Sequence, residues 1–395
     1  MVGGSANDVV DSADTIAADI GGAPELLLAF ASTSQPLGEV LSGLKKRFPT
    51  TTVLGCSTAG EITEGGDAKG HTALFALRGD VKVFAGMGTS LKENPEAAVN
   101  AAASASPHAV EGHPHRTAVI LLDALAGVSE ETTLLAAVAL GGEDGSEVRL
   151  VGGAAGDDLK MAAPLVGLGG ADGSECANNA VVILTIFSKV ALGVGVCHGH
   201  RTISQPLTIT KSEGATVFEV NGRPAWDVWR EETAAAAKAA GIDTDALAGD
   251  DVGAYLLRFE AGLETGGAIK IRAPLGLGAD GSLSFACGIP QGSVVRITES
   301  GGLEQITSAV EAARRAREQM GGGDVAGALI FDCICRNLIL KSDFSVAVRG
   351  MNEALGGAPM AGFESYGEVA LDAGDFSGFH NTTTVVLAFP KTAEP

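Results

Sequence analysis

Residues 362–368 read GFESYGE, and residues 55–61 carry a related heptad, GCSTAGE. Upstream of each lies the same apolar spacing. Leu37, Val40, Leu41, Leu44 and Phe48 stand at offsets 0, 3, 4, 7 and 11, and Phe344, Ala347, Val348, Met351 and Leu355 repeat those offsets, the stripe of an amphipathic helix. Each heptad's glycine falls eighteen residues after the first residue of its stripe. A fainter third copy starts at Leu134, with Ala137 and Val138 at matching offsets and Gly152 again eighteen on, opening GGAAGDD. Spacing shared in this way indicates an internal repeat.

An apolar run precedes each copy (ELLLAF at 25, TAVILLDA at 117, ALIFDCIC at 328) and another follows it (TALFAL at 72, AVVILTIF at 180, TTTVVLAF at 382). The order strand, helix, short strand, glycine turn, strand predicts parallel pairing within each copy, because a crossover helix returns the chain in its original direction. From about 196 to 300 the pattern changes to short strands, with turn signals at Asn221-Gly222 and Asp280-Gly281 and the alternating SVVRIT at 293, around one helix holding Trp226 and Trp229. A long helix is expected at about 303–320, ending at Gly321. The fold class is α/β (mixed α and β): repeated strand-helix-strand-strand units in two domains, 25–220 and 221–390, with a β-rich central segment.

Composition removes several functions. With 395 residues, 46% of them hydrophobic, the chain has core material for two domains and little call for disorder. A net charge of −21 opposes nucleic acid and anionic membrane surfaces. The one dense basic run, Arg314 to Arg317, is flanked by Glu311 and Glu318 and reads as a solvated helix face. The acidic first twenty residues resemble no signal or transit peptide, and the longest apolar stretch, from Ala180, is cut by Lys189. A soluble, cytoplasmic protein is expected. Six cysteines without a framework spacing fit reduced, buried thiols.

Taken in order, VLGCSTAGEI at 53, VGGAAGDD at 151, GVGVCHGHR at 193, FEVNGRPAWDVW at 218, FDCICR at 331, GFESYGEVA at 362 and FHNTTTVVLAF at 379 resemble the FIST family of sensory proteins. The resemblance runs from about 25 to 390 and implies a FIST N-like domain over 25–220 and a FIST C-like, ligand-binding domain over 221–390. It further implies a non-catalytic signal-transduction sensor of a small molecule, with amino acids proposed as ligands. The implied partner is a histidine kinase, a cyclic-di-GMP enzyme such as a diguanylate cyclase, or a chemotaxis component. Some members of one branch bind haem and sense nitric oxide. Many relatives carry an aromatic residue where this chain has His200.

Side chains on a glycine turn leaving a parallel strand sit at the sheet's carboxyl edge, where α/β folds bind ligands. Tyr366 and Glu368 are therefore candidates. The acid recurs as Glu61 and Asp158, which also suits a turn cap, whereas Ala59 and Gly156 replace the tyrosine. Arg336 and Asn337, read as emerging at the same edge, suit a carboxylate or a haem propionate. Ser57 and Thr58 join the set if the two domains close. A haem iron would take His380 or His198, each weighed against a histidine bonded to backbone. Cys333 and Cys335, read as sharing a strand face, lack two further metal ligands at suitable spacing. GLGADG at 276 precedes an alternating strand where a dinucleotide fingerprint needs a helix, so it reads as a hairpin. GCSTAG misses the nucleophile-elbow spacing, which leaves a hydrolase or other small-molecule enzyme, with Glu368 and Ser57 or Ser365, as the alternative.

Overall fold

The parallel pairs expected from the repeat are present in all three copies. Leu26–Ala31 pairs with Thr52–Ser57, His115–Leu122 with Arg149–Ala154, and Val325–Cys333 with Met360–Ser365. The crossover helices are Leu37–Arg47, Ser129–Leu140 and Phe344–Ala354. The closing strands Thr72–Leu77, Ala180–Ser188 and Thr383–Pro390 return antiparallel to the first strand of each copy. These relations come from a computed structural model that describes residues 5–141, 148–170, 172–265, 268–371 and 378–391.

The recurrent glycine has a steric cause. Gly55, Gly152 and Gly362 lie opposite Ala29, Ile120 and Ile330, and a Cβ on them would stand 1.9, 2.0 and 1.9 Å from the partner's carbonyl oxygen. Only hydrogen fits there.

After its heptad each copy sends a hairpin into a neighbour. Residues 61–68 join the third copy through Met360–Ser365, residues 368–371 and 378–380 join the second through Arg149–Ala154, and residues 166–170 and 173–177 join the first through Thr52–Ser57. The exchange closes on itself as a pseudo-threefold ring. Backbone bonds fasten each crossing: Glu364 N to Gly60 O (2.8 Å), Gly156 N to Ser57 O (2.9 Å) and Ala154 N to Gly367 O (2.7 Å). The quoted heptads are therefore the joints of the ring.

Alternate residues of every parallel strand face this shared axis. Leu28, Phe30, Leu54, Leu121, Val151, Leu329, Phe331 and Phe363 form one core, with the Phe30 and Phe363 rings 5.0 Å apart. Their neighbours in sequence pack outward under the helices, so these strands are apolar on both faces. In the first and third copies the helix stripes are buried as read. In the second the phase differs: Leu134 and Val138 are 49% and 78% exposed, and Thr132, Thr133, Ala136 and Leu140 face the core instead.

The β-rich segment is an insertion within the third copy. The second copy leads with strand Val81–Thr89 and helix Pro95–Ala103; the third leads with Gly193–His198 and Gly302–Gln319, and residues 201–299 fold between them. This module has a nine-stranded sheet and its own core around Trp229, whose Nε1 donates to Phe259 O at 2.9 Å.

Candidate functional site

The acids of the heptads do the same work in different copies. Thr58 Oγ1 donates to Glu61 Oε1 at 2.5 Å and His71 N to Oε2 at 3.0 Å; Ser365 Oγ donates to Glu368 Oε1 at 2.5 Å and Thr383 N to Oε2 at 3.2 Å. Asp158 likewise accepts from Thr33 N at 2.9 Å. Each carboxyl ties its turn to the approaching chain. Burial raises Glu61 to about 7 and pushes Glu368 well above the ordinary carboxyl range.

Most of the expected ligand set is committed to this scaffold. The run after Asp332 is not all strand: the chain turns at Cys333 into the helix Ile334–Leu340, which reverses Arg336. Arg336 is fully buried, pairs with Asp332 (Nε to Oδ1, 2.5 Å) and donates to Ser308 Oγ (3.0 Å) and Gln305 O (2.6 Å), facing the helix Gly302–Gln319 rather than an opening. Asn337 donates to Glu364 Oε1 at 2.7 Å, and burial raises Glu364 to about 8. Ser57 Oγ donates to Gly156 O at 2.6 Å and accepts from Leu165 N at 2.7 Å, while Thr58 is held by Glu61. The hydroxyls named for hydrolysis are thus tied into the ring, Ser365 and Glu368 without any exposure.

The histidines as placed do not fit a haem iron. His380 is fully buried with Nε2 3.4 Å from Ala370 O, and burial, then Arg272 and Lys270, lowers it to about 3. His198 sets Nε2 against Ile269 O at 3.2 Å and accepts His200 N on Nδ1 at 3.2 Å, with burial lowering it to about 4. The His200 side chain is fully buried, its Nε2 3.5 Å from Glu260 Oε2. Among the described residues no group of three or more His, Cys, Asp or Glu side chains is arranged to hold a metal ion.

Of the expected set, His198 lines an open surface hollow beside Glu304 and Glu311, and Tyr366 borders an apolar crevice. Its hydroxyl donates to Asp157 Oδ1 at 2.6 Å, and the same carboxylate accepts the amides of Met161, Ala162 and Ala163 at 2.8, 2.7 and 2.9 Å. Burial and then the Asp157 bond raise the phenol. Burial raises Asp157 as well, but Tyr366 and the amides outweigh it and leave the carboxyl below its ordinary value.

Tyr366 lines a crevice of about 190 Å³ with Asn381, Cys333, Cys335, Met161 and Leu338. Beyond Leu257 and Leu338, which line both spaces, lies a larger chamber of about 520 Å³ bordered by Tyr255, Arg258, Ser300, Lys341, Asp243 and Asp251. Both spaces follow the seam where the inserted module meets the third copy, a favoured place for ligands. Sequence reasoning missed Leu257, Leu338, Arg258 and Lys341, which carry no local motif; Asn381 was noticed only as a neighbour of His380.

A family model for the FIST N domain matches residues 25–223, and one for the FIST C domain matches residues 225–371. The chain belongs to the FIST family, whose domains are associated with sensing small ligands in signal transduction. No curated protein matches it.

Proposed function

We propose that this protein is a non-catalytic sensor whose small-molecule ligand sits in the seam between the inserted module and the third copy, within the 221–390 half. The observation carrying this reading is that Tyr366, the heptad residue the other copies lack, borders a two-chamber cavity there. The chambers differ in character. The inner one is almost wholly apolar, and the outer one carries Arg258 and Lys341 against Asp243 and Asp251, so it suits a metabolite with both an apolar part and a polar or zwitterionic end. Haem is the weaker reading, given the bonds that hold His380 and His198. Filling the seam would change how the module rests on the ring, and a ligand shifts that equilibrium by preferring one arrangement. A cytoplasmic kinase, cyclic-di-GMP enzyme or chemotaxis component would read the change.

A thermal-shift screen of amino acids, organic acids, nucleotides and haem tests the site. A binder at about 100 times its Kd adds about 2.7 kcal/mol and raises Tm measurably. Leu338→Trp, which fills the junction of the chambers, should abolish that rise. A compound stabilising wild type and Leu338→Trp equally overturns the assignment.

A further inference from the structure

The inner crevice has a chemical bias of its own. Cys333 closes the strand Val325–Cys333 and Cys335 is the second residue of the helix Ile334–Leu340, so the strand-to-helix turn places both thiols on one wall. They are 2% and 6% exposed, and both are free. A third sulfur-bearing residue, Met161, belongs to the same lining and comes from the loop that Asp157 ties to Tyr366. Of the titratable side chains, only Cys333, Cys335 and Tyr366 are in the lining. Its other members are Leu159, Gly253, Leu257, Pro274, Leu275, Ala286, Ile334, Leu338 and Asn381.

From this arrangement we propose that Cys333 and Cys335 form a dithiol site for a soft, thiophilic cation, with Met161 as a third sulfur donor. The proposal rests on the crevice being the sensory site and names a ligand class for its inner chamber. Thiolate and thioether sulfur select soft d10 ions such as Cu(I), whereas hard cations need oxygen ligands, of which this wall offers only Tyr366 and Asn381. The step is a ligand exchange: two S–H bonds break, two metal–sulfur bonds form, and two protons leave, with no change of oxidation state. Because binding releases protons, affinity rises with pH. Occupancy that draws in Met161 would pull on the loop fastened to Asp157 and so reach Tyr366.

The probe is Cu(I), delivered anaerobically to the reduced full-length protein from a competing chelator. One equivalent should bind, shield Cys333 and Cys335 from alkylation, and leave Cys56, Cys176, Cys197 and Cys287 as reactive as before. Cys333→Ser and Cys335→Ser should each weaken binding at least 100-fold and Met161→Leu about tenfold, with Cys197→Ser unchanged. Should Cys333→Ser not fold, Cys335→Ser and the alkylation pattern still decide. Failure of wild type to take the first equivalent, or equal binding by Cys335→Ser, overturns the dithiol site. Metabolite stabilisation that survives in Cys335→Ser would then keep the crevice reading alive, whereas its loss of specificity for Leu338 would sink that reading separately.

Discussion

The first and third copies carry the same turn, with a hydroxyl three residues ahead of a buried glutamate and a backbone amide on that glutamate's second oxygen. The third has a cavity beside it. In the first copy the turn meets Gly156 and Glu364 of its neighbours, and Ala59 fills the space. In the third, Tyr366 takes that position and 201–299 has been spliced in above it, so the joint borders a seam. Symmetry built the frame, and the departure from symmetry opened the site.

The largest expected effect falls on the shared frame. Gly55→Ala and Gly362→Ala each press a methyl carbon into a carbonyl oxygen at 1.9 Å. Both should abolish soluble folded protein or cost more than about 4 kcal/mol in chemical denaturation. A tolerated Gly55→Ala beside a lethal Gly362→Ala would break the equivalence of the copies.

Next comes the third copy's buried ion pair. Asp332→Ala strands Arg336 as an unpaired buried cation and should cost about 3–5 kcal/mol. Arg336→Ala should destabilise comparably, while a seam ligand binds the folded fraction unchanged. Selective loss of binding in Arg336→Ala would return that arginine to the ligand site.

A smaller effect concerns pH. Glu61 and Glu364 keep a proton when folded up to about 7 and about 8, whereas the unfolded chain releases it near the ordinary value of 4.5. Their contribution to stability is full below that value and is lost as pH rises through 7 and 8. His198 and His380, lowered to about 4 and about 3, act oppositely: their contribution is present above 6.5 and lost as pH falls. Glu364→Gln should therefore gain on wild type between pH 5 and pH 8, by on the order of 1–3 kcal/mol in urea titrations. Parallel curves for the two proteins would mean Glu364 ionises freely.

The repeat was legible because its signal is steric. Gly55, Gly152 and Gly362 answer to a carbonyl oxygen, so their spacing outlasts divergence of the side chains around them. The cyclic exchange of hairpins was not legible, since the choice of Met360–Ser365 as partner for Glu61–Thr63 is made by contacts almost three hundred residues apart. Period reasoning failed at FDCICR, a short apolar run that suits either strand or helix. Read as strand, Arg336 points to the edge. On a helix it lies four residues from Asp332 and folds inward. Leu134 and Val138 misled because the second copy's helix has no distinct apolar face: these two point outward while Thr132, Thr133 and Ala136 are buried. The seam itself joins residues whose only common property is position.

Amide hydrogen exchange, with and without a stabilising compound from the screen, tests the asymmetry most directly. Protection confined to 250–258, 334–340 and the turn at Tyr366, with 55–61 unchanged, is the predicted result. Equal protection at the first copy's turn, or none along the seam, would contradict the account.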